Sequence, residues 1–174
     1  MKPIFFSFLI AFSVQCASAQ KGYPVPPSNS SSLFYIQHSD NHNTYVYEAV
    51  IKDKHLDQIM PIKIHRKMYA NKGEIEPLTT LQRTMAYGVN CKMLRKNFFE
   101  VRLVSFKQLP FYLSLQSKNK PVVFATVNNK KMYIDHIYLQ IKSGSGISFK
   151  PAYALFSGRH FSTGATITEK YVFE

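Results

Sequence analysis

Between residues 33 and 173 the chain is a succession of short runs in which apolar and polar side chains alternate, with turn residues between them. Successive side chains of a strand point to opposite faces, so a period of two specifies extended chain with one face buried. Such runs stand at 33–37, 44–51, 62–68, 89–94, 98–106, 111–115, 122–127, 131–142, 152–156 and 166–173. The 14 Phe and 11 Tyr, beside many Ile, Val and Thr, favour the same state. No repeated βαβ pattern and no internal repeat is present. The expected fold is all-β: an antiparallel barrel-like or sandwich sheet of about eight to ten strands with one short helix.

Residues 61–88 carry the most varied signals. Ile62, Ile64 and Met68 share one strand face and Lys63, His65 and Lys67 the other, which places Arg66 among apolar residues and demands a partner for it. Residues 71–73 read as a turn, and Pro77 suits the first position of a helix. Leu78, Leu81, Gln82 and Met85 then share a helical face, Glu74 and Glu76 sit where negative charge favours a helix start, and Gly88 is placed for a left-handed cap.

Further along, Asn128 and Asn129 read as a hairpin turn, since Asn tolerates positive φ. In 131–142, Met132 and Ile134 set one phase of alternation, and Ile137, Leu139 and Ile141 the other. The slip falls at Asp135 and His136, and either a β-bulge or burial of both faces would account for it. In the last run Glu169 shares a face with Ile167, Tyr171 and Phe173. It is expected either to pair with Arg66 or Arg83, or to lie on a fraying or edge strand.

The run Pro61-Ile62-Lys63, then Tyr69-Ala70, Gly73, Glu76-Pro77-Leu78-Thr79, Gln82-Arg83 and Ala86-Tyr87-Gly88, resembles the bacterial secreted family known as domain of unknown function 4833. The resemblance includes Leu33-Phe34-Tyr35-Ile36-Gln37 and Asn43-Thr44 through Tyr47-Glu48-Ala49, and covers most of the chain after residue 33. It implies secretion and no particular reaction. His65 and Arg66 stand where an aromatic pair is expected in the family, and the chain has no Trp.

Residues 1–19 read as a signal peptide: Lys2 gives the positive start, 4–14 the apolar core, and Ala17-Ser18-Ala19 a cleavage site that leaves Gln20 first. Export to the periplasm or the extracellular space is expected. A lipoprotein built on Cys16 is set aside because Gln15 is bulky where a small residue is needed. No later segment has the roughly 18 apolar residues of a membrane helix. Residues 20–32, rich in Pro and Ser, read as a flexible leader, and 33–174 as a single all-β domain. Removal of Cys16 leaves Cys91, in an apolar run, as a buried structural thiol with no disulfide partner.

Candidate sites are few. His38, Asp40 and His42 alternate and could present two imidazoles and a carboxylate to zinc or iron, against the plainer reading of a solvated turn. The chain has no Gly-x-Ser-x-Gly elbow and no His-Glu-x-x-His helix. Asp135, His136 and Glu100 could assemble a cryptic site, although nothing in their spacing requires it. Tyr45, Tyr47, Arg66, Gln82, Arg83 and Tyr87 combine inward or helix-core placement with hydrogen-bonding tips, and are expected near an interior ligand site or in a network that docks the helix. No cofactor is expected. The net charge of +12 suits anionic partners. Nucleic acid is set aside for an exported chain, and sheet-edge lysines that discourage aggregation are the plainer alternative. The reading is a monomeric, non-enzymatic binding protein for an amphipathic small molecule or an anionic envelope component. A hydrolase with an assembled site and a structural interaction module of the envelope are the alternatives.

Overall fold

In the computed structural model, residues 23–69, 72–116, 119–143 and 150–173 are described, the side chains of His42 and Ser143 excepted. Thirteen strands appear among them: β1 Ser32–His38, β2 Asn41–Ala49, β3 Ile51–Lys52, β4 His55–Leu56, β5 Ile62–Met68, β6 Glu74–Pro77, β7 Val89–Arg95, β8 Phe98–Leu103, β9 Phe111–Gln116, β10 Lys120–Val127, β11 Lys130–Ser143, β12 Lys150–His160 and β13 Thr166–Val172. Eleven of them join in one curled sheet that forms a half-barrel, while β3 and β4 make a separate hairpin. All pairings are antiparallel except that of β1 with β11.

Strand β11 is the fork of the sheet. Its first residues pair with β10, from Val127↔Lys130 to Phe124↔Tyr133, and on the same edge its later residues pair with β1, from Tyr35↔His136 to His38↔Leu139. Along the opposite edge β12 pairs from Met132↔His160 to Ser143↔Lys150. Two arms therefore leave β11: one through β1, β2, β5 and β6, the other through β10, β9, β8 and β7. The branch point is the β-bulge expected from the phase slip, because the β11–β12 register shifts between Ile134 and His136 and leaves Asp135 unopposed. Gly158 makes this possible: a Cβ there would lie 1.9 Å from the Tyr133 carbonyl oxygen. Asn128 and Asn129, with φ of 49° and 64°, make the β10–β11 hairpin turn.

The arms close over a core of aromatic and aliphatic side chains from alternate strand positions. Phe34 stacks on Tyr47 at 4.4 Å and on Phe111 at 6.1 Å, which ties one arm to the other, and Phe156 of β12 packs on Phe111 at 6.2 Å. The half-barrel interior is thus filled, and pockets lie at its periphery. Residues 23–31 run along the outer face of the first arm, where the composition suggested a flexible leader. Gln37 Nε2 donates to the Pro24 carbonyl at 2.9 Å, Asn29 Nδ2 to Glu48 Oε1 at 2.7 Å, and Pro26 is buried. Proline chain has fewer N–H groups to satisfy, so it can cover a sheet face without a ladder of its own. Both faces of β1 are consequently buried.

Several local expectations need correction. Residues 74–77 form a strand along β5 and not the lead-in to a helix; Pro77 ends that strand. The helix begins after Thr79, whose hydroxyl accepts the Gln82 N–H at 3.2 Å while Gln82 Oε1 accepts the Thr79 N–H at 3.1 Å, a capping box that fixes the start. One α turn, α1 (Thr80–Gln82), passes directly into a π-helical turn over Arg83–Tyr87. Wider than an α-helix, that turn breaks the 3.6-residue period, so Leu81 and Met85 are exposed while Leu78 and Tyr87 are buried. Gly88 is not a left-handed cap, since its φ is −67°. It is required by close approach, because a Cβ would sit 1.9 Å from the Arg83 carbonyl oxygen.

The partner of Arg66 is Glu76, across the β5–β6 pair, and not Glu169. Glu169 pairs instead with Lys130 at 2.7 Å and accepts from Asn128 at 3.2 Å, on edge strand β13.

Candidate functional site

The path from β6 to β7 runs through the helical turns, and against them is a pocket of about 340 Å³. Its back wall is aromatic. Tyr87, swung inward by the π turn, stacks face to face on Tyr45 with ring centroids 3.4 Å apart, and His38 lies 6.0 Å from Tyr45 and 6.3 Å from Tyr87 in nearly parallel orientation. Behind them the Tyr47 hydroxyl, wholly buried, donates to the Tyr87 carbonyl at 2.7 Å and anchors the end of the helix to β2. Arg66, held by Glu76, supplies the fixed cation, and Asp40 is the acid in the described lining. Asn41, Asn43, Thr79 and Gln82 add amide and hydroxyl groups, and Leu81 and Met85 form an apolar lip.

Burial pushes the Tyr87 hydroxyl well above the ordinary tyrosine range, with the adjacent Tyr45 adding to it. Tyr45 is raised by the same desolvation, opposed by its hydrogen bond with Tyr87 and by Arg66. His38 is lowered by burial, which Asp40 partly offsets. The wall is therefore neutral at physiological pH: it offers hydrogen bonds and ring faces, while Arg66 and Asp40 give it direction.

Of the residues singled out in the sequence, Tyr45, Arg66, Gln82 and Tyr87 line this pocket together with His38 and Asp40. Tyr47 stands behind the wall as support. Arg83 points to solvent on the outside of the π turn, since the wider turn turns it away. Among the described residues no three His, Cys, Asp or Glu gather as metal ligands; the His42 side chain is outside them. The sequence reading missed Asn41, Asn43 and Thr79, though the polar turn at 39–43 and the Thr-x-x-Gln capping box were both visible in it.

A second pocket, of about 770 Å³, opens on the other side of the helical turns and shares Met85 and Ala86 with the first. Phe106, Leu139, Ala152, Val172 and Phe173 make it apolar, and Lys142 and Lys150 stand at its rim.

Other candidate chemistry is dispersed. His136 stacks on Tyr35 at 4.4 Å, Asp135 faces Arg159 at 3.6 Å, and Glu100 lies three strands from β11, paired with Arg102. Cys91 is partly buried and its thiol is pushed up to about 11 by desolvation, so little of it is thiolate at neutral pH.

The fold and its pocket define an all-β half-barrel protein with a pocket lined in part by its short helical segment. Residues 34–170 match the family described as domain of unknown function 4833, and the chain belongs to that family. Comparison with curated proteins and with solved structures gives no significant match.

Proposed function

We propose that this chain is an exported, non-enzymatic binding protein that holds a small amphipathic molecule against its helical turns. The observation that carries the reading is the meeting of two unlike pockets at Met85 and Ala86: one backed by Tyr45, Tyr87, His38 and Arg66, the other lined by Phe106, Leu139 and Phe173. A polar head seated near Arg66 and Gln82 and an apolar tail reaching past Met85 would use both, with Lys142 and Lys150 able to attract a negatively charged ligand. The signal-like residues 1–19 support export. A serine or cysteine nucleophile is not among the described lining of the first pocket, and the Thr79 hydroxyl already serves as the helix cap.

Native mass spectrometry of the protein isolated gently from its own host's envelope fraction tests this. A reproducible small-molecule adduct that disappears on denaturation, and is lost in Met85→Trp, is expected; the substitution fills the junction from an exposed position and should leave the fold intact. A bare mass throughout, under conditions that preserve a known lipid carrier's complex, overturns the reading.

A further inference from the structure

The outer face of the second arm carries an array that the pocket does not use. Phe98, Tyr112, Phe124 and Tyr133 project from β8, β9, β10 and β11 on the side opposite the core, each only partly buried. Phe98, Tyr112 and Phe124 form a triangle with centroids 5.4 to 6.4 Å apart, and Phe161, beyond the end of β12, joins it by packing on Phe124 at 5.3 Å and on Tyr133 at 5.0 Å. Cations sit over these rings. Lys131 Nζ lies 3.8 Å from the Phe161 centroid and 4.7 Å from that of Phe124, Arg95 lies 5.2 Å over Phe98, and Arg159 lies 5.7 Å over Tyr133.

What distinguishes the array is how its charges are held. Lys131 and Arg95 have no carboxylate within ion-pair distance among the described residues; rings fix them in place and leave their charge unneutralised. A cation ordered by cation–π contact has already lost much of its side-chain freedom, so a second partner, an anion, gains more from it than from a mobile surface lysine. We infer that this face is a docking surface for an acidic polysaccharide, whose carboxylate or sulfate groups meet Lys131 and Arg95 and whose hydroxyls meet Tyr112, Ser114 and Gln116.

The alternatives fit less well. Bases need open ring faces to stack, and here the faces are occupied by neighbouring rings and by cations. Insertion into a bilayer needs apolar side chains that stand clear of the surface, and none of these rings does. A charged, hydroxyl-rich polymer lying across a rigid sheet needs neither. This surface is independent of the pocket beneath the helix.

The test is binding of the full chain to sodium alginate at low ionic strength, with neutral dextran, a thymidine oligonucleotide and anionic phospholipid vesicles alongside. Alginate is expected to bind most tightly, to weaken steeply toward about 0.5 M salt, and to bind about tenfold more weakly to Lys131→Gln/Arg95→Gln at an unchanged melting temperature. Equal binding of dextran, unchanged affinity in the double variant, or tighter binding of the oligonucleotide or the vesicles overturns it. Both residues are exposed, so the variant is expected to fold, and Lys63→Gln/Lys67→Gln on the other arm controls for net charge alone.

Discussion

The two arms that leave β11 have opposite designs. The first, β1, β2, β5 and β6, has its outer face covered over β1 and β2 by residues 23–31 and turns polar-tipped residues, Tyr45, Tyr47 and Arg66, toward the interior side, where the helical turns meet them. The second, β10, β9, β8 and β7, is apolar inside, with Phe99, Val101, Leu103, Phe111 and Leu113 all nearly inaccessible, while its outer face carries aromatic rings and cations that nothing described covers. One sheet thus yields a pocket wall on one branch and an open platform on the other. The lesson is that a forked strand lets the two branches specialise while they share a single core.

The fork itself is where the comparison breaks most easily. Gly158→Ala would drive a Cβ to 1.9 Å from the Tyr133 carbonyl oxygen, with backbone on both sides and no flexible side chain to yield. The bulge at Asp135 would have to open, and with it the register that lets β10 and β1 share one edge of β11. A loss of about 4 kcal/mol or more, or no soluble protein, is expected. Gly88→Ala meets an equally close contact with the Arg83 carbonyl but should disturb only the helical turns and the pocket. Chemical denaturation of the two variants, with a ring-current probe on each arm, separates the cases: if Gly158→Ala keeps wild-type stability, β11 is not the organiser of the sheet.

The next effect arises where β11 meets the covered arm. His136 packs under Tyr35 with its Nε2 buried and unpartnered among the described residues, and burial pushes its pKa down to about 4. In the unfolded chain the imidazole takes a proton near its ordinary value of 6.5, whereas in the fold it stays neutral until about 4. The unfolded state therefore binds more protons in that window, so the stability present above 6.5 is lost as pH falls toward 4. Between pH 7 and pH 5 this removes about 2 kcal/mol, and His136→Phe, which keeps the stack on Tyr35, should remove most of that dependence. Urea unfolding of both proteins at the two pH values decides it; parallel losses would show that other groups carry the acid sensitivity. His38 and His65, also lowered by burial, act in the same direction and remain in the variant.

Much of this was legible from residue order. Period-two alternation located the strands from β7 to β13, the Asn pair located the hairpin before β11, and the slip at Asp135 and His136 marked the place of the bulge, though not that the sheet forks there. What alternation does not carry is which strands become neighbours. Arg66 needed an acid, and residue order offered Glu169 because Glu76 read as part of a helix start; only the pairing of β6 along β5 and of β13 along β12 shows that Glu76 is the partner. The parallel pairing of β1 with β11 joins residues about a hundred positions apart, and no local signal announces it. The helix face failed for another reason: a π turn has its own period, so Leu81 and Met85, aligned with Leu78 in an α-helix, emerge as the lip of a pocket. Aromatic type alone does not decide which face a residue takes. Phe98, Tyr112, Phe124 and Tyr133 look like core residues by type, and only their opposite parity to Phe99, Phe111 and Met132 puts them outside.

The smallest expected effect sharpens the contrast between buried and open tyrosines. Tyr47→Phe removes the hydroxyl that donates to the Tyr87 carbonyl at 2.7 Å, and leaves that carbonyl buried without its partner. A loss of about 1.5 kcal/mol follows from an unsatisfied buried acceptor, together with faster amide exchange through Arg83–Tyr87, because the end of the π turn is no longer tied to β2. Tyr112→Phe on the open face removes a hydroxyl from a partly exposed ring and should change stability by less than about 0.5 kcal/mol. The readout is specific because the two substitutions delete the same atom. If Tyr47→Phe proves as mild as Tyr112→Phe, packing of Tyr87 on Tyr45 alone holds the helical turns in place, and the pocket wall is stabilised by ring contact without the hydrogen bond behind it.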